Sequence, residues 1–213
     1  MLLIIKKMER RINVITLGDS GVGKTSIINR FRDGTYKENI ELTLGIDICV
    51  IKRKFENKNI TISLHLRDTA GQEIYQTLPI SYIRDSHIVL LVFCNIETLN
   101  HLIDNLYKFY IENKNIDNPR FILIGNKSDT FGNDKDEIMK KGNIFAEEID
   151  AHFLTCSAKS EDNLDNVERY ITTEAKRYID EDKNESTIKR FNSIKLDEYD
   201  NISTSRGCRC KKY

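Results

Sequence analysis

Gly18-Asp19-Ser20-Gly21-Val22-Gly23-Lys24-Thr25 fills every fixed position of the pattern G-x-x-x-x-G-K-[ST]. It follows the β-rich run Arg11 to Leu17 and precedes Ser26 to Phe31, where Ile27, Ile28 and Phe31 recur at helical spacing. The motif therefore sits at a strand-to-helix turn. Its glycines let the backbone wrap closely around a triphosphate, and the N–H groups of Ser20, Gly21, Val22, Gly23, Lys24, Thr25 and Ser26 point inward at a helix N-terminus. Lys24 is expected to reach the β and γ phosphates, and Thr25 to offer its hydroxyl to Mg²⁺.

Outward from that turn the chain alternates strands and helices. Leu44 to Phe55 and Ile60 to Arg67 flank the tetrad Glu56-Asn57-Lys58-Asn59 and predict an antiparallel hairpin. In the second of these strands Ile62, Leu64 and Leu66 alternate with Thr61, Ser63, His65 and Arg67, which predicts one buried face and one solvated face carrying Arg67. After a polar, poorly periodic stretch to about Asp85, His87 to Cys94 reads as a central strand covered on both faces. Leu99, Leu102, Ile103, Leu106 and Phe109 mark a helix, Phe121 to Gly125 a strand, Glu137 to Glu148 a helix, His152 to Cys156 a strand, and Asn163 to Tyr178 an amphipathic helix with Leu164, Val167, Tyr170 and Ile171 on one side. The fold class is α/β: a P-loop NTPase with a mostly parallel six-stranded sheet, helices on both faces, and ligands at the carboxyl ends of the strands.

The 213 residues suit one domain and a tail: residues 1–10 as an N-terminal extension, 11–179 as the domain, and 180–213 as a charged, Asn/Ser-rich flexible tail. Residues 1–10 equally fit a lengthened first strand, and the sequence does not separate the two. Lys+Arg and Asp+Glu both number 33, so nothing global argues for nucleic acid. Of five cysteines, Cys49, Cys94 and Cys156 lie in apolar runs and read as reduced core residues. The opening Met1 to Ile5 is too short for a signal-peptide core, and no run approaches a membrane span.

A phosphate loop alone fits a kinase, an ATPase or a GTPase; three further motifs choose. Asp68-Thr69-Ala70-Gly71-Gln72 supplies a carboxylate for the Mg²⁺ shell, the Gly71 N–H for a γ-phosphate and the Gln72 amide to orient water. Asn126-Lys127-Ser128-Asp129 has a base-reading logic, because the Asp129 carboxylate can accept two parallel hydrogen bonds from N1–H and the exocyclic amine of guanine, which adenine does not offer. Lys127 would lie along the base, and Asn126 would tie loop segments together. In Ser157-Ala158-Lys159 the Ala158 N–H is the expected donor to guanine O6.

These motifs together resemble the small GTPases of the Ras superfamily, most of all the Rab family, over roughly residues 11 to 179. The resemblance implies that Thr43, in Thr43-Leu44-Gly45, completes the Mg²⁺ shell with Thr25 and Asp68 when GTP is bound, that Tyr36 packs against the base, that residues 68–85 form the second switch, and that Gln72 positions the attacking water with Lys24 stabilising charge. It implies Mg²⁺ as cofactor, GTP and GDP as ligands, and effectors, exchange factors and GTPase-activating proteins as partners through both switches. Nucleic acid is not a partner on this reading. Thr43-Leu44-Gly45-Ile46-Asp47, Tyr82 and Arg84 favour Rab over its relatives; no Rho-type insertion is present, and Leu2 stands where an Arf-like anchor needs glycine. Arg67 stands where Rab proteins usually carry tryptophan and Ile48 where they carry phenylalanine, so an apolar effector platform is expected to be partly cationic. Asp85 replaces a usual glycine and Cys94 a usual aspartate. Cys208 and Cys210 resemble the prenylated pair of Rab tails, and Arg206, Arg209, Lys211 and Lys212 would add attraction to anionic headgroups, although three residues follow Cys210. The implied location is the cytoplasmic face of an intracellular membrane, in exchange with cytosol. A GTP-binding scaffold that barely hydrolyses, another branch of the superfamily and an ATP-using P-loop enzyme remain as alternatives.

Overall fold

The computed structural model describes residues 8–38, 43, 45–55, 60–69 and 80–182. Contacts divide the chain into two units, residues 1–175 and 176–213, and the described residues of the second, 176–182, are helical. The first unit is built on a six-stranded sheet of order β2-β3-β1-β4-β5-β6. Its strands are β1 (Met8–Leu17), β2 (Ile46–Phe55), β3 (Ile60–Thr69), β4 (Ile88–Phe93), β5 (Arg120–Gly125) and β6 (His152–Thr155). Only β2 runs antiparallel, pairing with β3 from Phe55↔Ile60 to Ile46↔Thr69, as the hairpin reading requires. β1 extends back to Met8, so residues 8–10 belong to the strand and pair with Ile60 to Ile62.

The helices are α1 (Lys24–Asp33), α2 (Ile80–Arg84), α3 (residues 96–113), α4 (Lys135–Glu148) and α5, whose residues 164–175 lie in the first unit. A capping box opens α3: the Asn95 side chain accepts from Thr98 N–H while Thr98 Oγ1 bonds back to the Asn95 backbone. The middle of α3, Leu102–Tyr107, widens into a π-helix. Both β4 and the second half of β5 are buried along their length, and Ile15, Leu17, Val89, Leu91, Phe93 and Leu123 pack with Ile83 of α2, Leu99, Leu102, Leu106 and Tyr110 of α3, and Ile138 and Phe145 of α4. On the other face α1 lies against β2 and β3 and buries Ile27, Ile28 and Phe31, and Leu164, Val167, Ile171 and Ala175 form a buried helical stripe.

β3 departs from the alternation expected of it. Thr61, Ser63 and Arg67 are buried along with Ile62, Leu64 and Leu66; Ser63 Oγ donates to the Glu9 carboxylate of β1, and Tyr82 closes over Arg67. The Arg67 guanidinium lies 4.8 Å from the centre of the Tyr82 ring and donates to the Tyr82 carbonyl, so its charge is turned inward rather than displayed. Tyr82 belongs to α2, a helix within the stretch expected to be irregular. Cys49 and Cys156 are buried free thiols as expected, whereas Cys94, one residue beyond the end of β4, is only half-buried.

Candidate nucleotide site

Parallel strands start at one end of the sheet and finish at the other, so Leu17, Thr69, Phe93, Gly125 and Thr155 close their strands along one edge. The first crossover, from β1 through α1, leaves this edge where β3 and β4 diverge on either side of β1, the position at which open α/β sheets bind ligands. Two hydroxyls staple β1 to β3 just beneath it: Thr16 Oγ1 donates to the Arg67 carbonyl at 3.0 Å and Thr69 Oγ1 to the Thr16 carbonyl at 2.7 Å.

The loop from Gly18 to Gly23 has no room for side chains where it is tightest. A Cβ on Gly18 would meet the Val92 carbonyl oxygen at 2.2 Å, and one on Gly23 would meet Asn126 Nδ2 at 2.3 Å. Gly23 also holds φ at +97°, which a side chain would strain. α1 begins at Lys24 with no side-chain cap and no acidic residue in its first turn, so its leading N–H groups and its positive end are left for an anion. Lys24 is buried and donates from Nζ to the carbonyls of Gly18 at 2.8 Å and Asp19 at 2.9 Å. Burial pushes its ammonium down to about 8, against the opposing pull of Asp68 and Asp19.

Asp68 is buried near the end of β3 and its Oδ1 has no hydrogen-bond partner among the described residues. Burial holds its carboxyl above the usual range, although the Thr25 hydroxyl, Lys24 and the Thr43 hydroxyl pull the other way. Thr25 Oγ1 and Thr43 Oγ1 lie 3.0 Å apart, so the three residues expected at the metal shell converge.

The base-side motifs meet the phosphate loop through one side chain. Asn126, buried at the end of β5, donates from Nδ2 to the Val22 carbonyl at 2.8 Å and accepts on Oδ1 from the Ala158 N–H at 3.1 Å. The Ala158 N–H expected to face guanine is therefore already engaged. Lys127 adopts a left-handed conformation, φ 60°, that turns the chain so Ser128 N–H can reach the Cys156 carbonyl at 3.0 Å. Asp129 accepts from Ser157 Oγ at 2.6 Å, and Ser157 Oγ also receives the Ser160 N–H at 3.1 Å. The Lys159 ammonium reaches outward to Glu38 at 3.2 Å. Tyr36 is half-buried with the Arg30 guanidinium 5.5 Å from its ring centre. Ser20 and Ser26 are half-buried and Gly21 is exposed on the same loop and first turn. Gly71, Gln72, Cys208 and Cys210 lie outside the described residues.

Two contributors were not legible in the sequence. Arg30, on α1, donates from Nε to the Ala158 carbonyl at 2.8 Å, a partner 128 residues away. His101, on α3, meets the Asp19 carboxylate at 2.5 Å across 82 residues. Neither belongs to a motif with a fixed offset, so no local pattern announces it.

The chain matches the family model "Ras family" over residues 13–177. The chain belongs to the Ras family. Within that family it is similar to Ras-related protein Rab-1A of Dictyostelium discoideum, 31% identical over 200 residues covering 92% of this chain and 95% of the relative. It is 32% identical to GTP-binding protein ypt1 of Schizosaccharomyces pombe (92% and 95%) and 32% identical to Ras-related protein RABE1d of Arabidopsis thaliana (95% and 93%). This Ras-family chain is thus a Rab-like small GTPase, an enzyme that hydrolyses GTP. No helix among the described residues is long and apolar enough to cross a membrane.

Proposed function

We propose that the chain is a GTP/GDP switch that recruits effectors in vesicle traffic, using the residues gathered at this edge of the sheet. The observation that carries the reading is Asn126, whose two hydrogen bonds join the phosphate loop to the 157–159 loop and make phosphate side and base side one site. A triphosphate chain lies along the N–H groups of Ser20 to Ser26, with Lys24 turning from its two carbonyls toward the β and γ phosphates. Asp129 keeps acceptor capacity beyond its bond from Ser157 for N1–H and the amine of guanine. The Ala158 N–H shares its hydrogen between Asn126 and O6. Lys127 and Tyr36 flank the base and ribose, and Ser157 and Lys159 shape the loop behind it.

A divalent ion fits the donor set on chemical grounds. Asp68 Oδ1 is a buried carboxylate oxygen with no hydrogen-bond partner among the described residues, and it stands with the two threonine hydroxyls, Thr25 and Thr43, all hard oxygen ligands of the kind Mg²⁺ takes. When bound, Mg²⁺ would neutralise charge on the β and γ phosphate oxygens. Gln72 orients the water whose oxygen attacks the γ phosphorus as the bond to the β–γ bridging oxygen breaks and GDP leaves. Lys24 and the loop N–H groups stabilise the charge that develops there. The Gly71 N–H and Thr43 sense the γ-phosphate, so hydrolysis releases both switches to which regulators bind. Residues 11–179 form the GTPase domain on this reading. Residues 180–213 form a tail whose Cys208 and Cys210 take isoprenoids and hold the protein at the cytoplasmic face of a membrane.

Single-turnover hydrolysis tests the proposal. Gln72→Leu is expected to slow the step about tenfold or more, which is about 1.4 kcal/mol or more of barrier, and Asp129→Asn to weaken GTP without making ATP a competitor. Equal rates for wild type and Gln72→Leu would leave a binding scaffold, and ATP competing with GTP at comparable affinity would remove the guanine assignment.

A further inference from the structure

Arg30 reaches the base side of the site with several directed contacts although it belongs to none of the motifs. From the last turn of α1, its Nε donates to the Ala158 carbonyl at 2.8 Å and its Nη2 to the Lys159 carbonyl at 3.2 Å. Its Nη1 donates to the Gly34 carbonyl at 2.7 Å and pairs with Glu161. Its planar face sits over Tyr36, 5.5 Å from the ring centre. The side chain is 11% exposed. A guanidinium suits this position because its rigid fork can address two successive carbonyls while its face stacks on a ring; an ammonium at the same place would have neither geometry.

We propose that Arg30 is a positioning residue for guanine-nucleotide retention: it locks the Ala158–Lys159 backbone and the Tyr36 ring to α1, the helix whose first turn carries Lys24 and Thr25. The inference rests on the base-side reading proposed above. Arg30 acts through the backbone it holds. Gly34 ends α1 with φ at +72° and its N–H returns to the Arg30 carbonyl at 3.0 Å, so the same residue anchors the start of the loop that carries Tyr36. Base loop, Tyr36 loop and α1 are thereby one rigid body, and a nucleotide leaving the base side must first loosen this clamp.

The test is the dissociation rate of fluorescent GDP and of a non-hydrolysable GTP analogue from the full chain, measured across a Mg²⁺ titration for wild type, Arg30→Met, Arg30→Lys and Glu161→Gln. Arg30→Met keeps the bulk and removes the fork. Losing charge-assisted hydrogen bonds to two carbonyls is expected to speed release of both nucleotides by the same factor, about ten- to a hundredfold. Arg30→Lys should recover only part of that, and the Mg²⁺ midpoint should stay at the wild-type value because the phosphate side is untouched. Glu161→Gln, at a side chain 65% exposed, removes only the outer end of the clamp, leaves folding alone and should speed release a few-fold. Release within twofold of wild type for both Arg30→Met and Glu161→Gln overturns the proposal. So does a faster release accompanied by a shifted Mg²⁺ midpoint, since that marks a general fraying of α1. If wild type itself fails to retain GDP, the base-side reading fails, and the clamp with it.

Discussion

Replacing Asn126 with alanine is the sharpest single perturbation of this site. Asn126 is 1% exposed, and its amide satisfies two buried backbone groups that no regular element pairs: the Val22 carbonyl and the Ala158 N–H. Alanine strands both. Each orphaned buried group costs about 1–3 kcal/mol, so a loss of about 3 kcal/mol is expected, equivalent to a fall of roughly 6–12 °C in Tm for a domain of this size. The nucleotide-free protein followed by thermal denaturation reads this directly, and GDP should dissociate faster in parallel because the phosphate loop and the 157–159 loop are no longer joined. The neighbouring glycine supplies an internal control. A Cβ at Gly23 would sit 2.3 Å from Asn126 Nδ2, so Gly23→Ala is severe when asparagine is present. In an Asn126→Ala background the clash disappears and only the strain of φ +97° persists, about 1–2 kcal/mol. The double mutant should therefore be more stable than the sum of the singles by about 1 kcal/mol or more. Strict additivity, or a Tm loss below about 2 °C for Asn126→Ala, would show that Asn126 does not couple the two loops.

Two more predictions concern the far side of the β1–β3 layer. His87 Nδ1 accepts the Asn13 N–H at 3.0 Å, which requires a neutral ring, and burial chiefly, with Arg67 and Arg11 assisting, lowers its pKa. The unfolded chain, with its histidine at about 6.5, takes the proton first, so stability should fall as pH drops through and below about 6.5. Urea midpoints at pH 7.5 and 5.5 should differ less for His87→Gln than for wild type, and an equal difference would refute the assignment. Arg67→Met removes a buried cation whose Nε has no hydrogen-bond partner among the described residues, trading a cation–π contact and one hydrogen bond for relief of desolvation. The net change in unfolding free energy should stay within about 1 kcal/mol; a loss above about 3 kcal/mol would mean that Arg67 serves a carboxylate.

Arg67 also shows where the sequence misled. That Gly18 to Thr25, Asp68, Asn126 to Asp129 and Ser157 to Lys159 gather along one edge was legible because the motifs have fixed offsets and each falls at or beside a strand end. Arg67 was not: alternation in β3 predicts a solvated face, whereas the Tyr82 ring of α2 lies over the Arg67 guanidinium and turns it inward. α2 itself gave no periodic signal, since a five-residue helix completes barely more than one turn. The expected cationic effector surface is corrected accordingly. Ile48, 43% exposed, and Val50, 46% exposed, lie outward on β2, while Arg67, register-paired with Ile48, folds its charge beneath Tyr82. Arg30 and His101 were invisible for a different reason, namely that their partners lie 128 and 82 residues away and become neighbours only when the crossovers are complete.

Lys24 and Asp68 explain why fold and ligand are coupled here. Each is buried, each is displaced toward its neutral form chiefly by burial, and the attraction between them opposes that displacement without cancelling it. Lys24 compensates with two carbonyls, and Asp68 leaves one oxygen without a hydrogen bond among the described residues. A core residue in either place would be the more stable choice by itself, so these charges are not there for the fold. They are satisfied together only by a ligand that brings negative charge to the ammonium and a cation to the carboxylate, as a nucleotide with Mg²⁺ does on the proposed reading. Binding then returns the desolvation free energy that folding has spent, and it stabilises the native state in proportion to RT ln(1 + [L]/Kd). Because Lys24 lies on the helix after the phosphate loop and Asp68 on β3, that gain is expected to be felt at the neighbouring hydroxyls of Thr25 and Thr43. On that reading ligand charge sets the order of the switch through the same two buried groups, Lys24 on the phosphate side and Asp68 on the cation side.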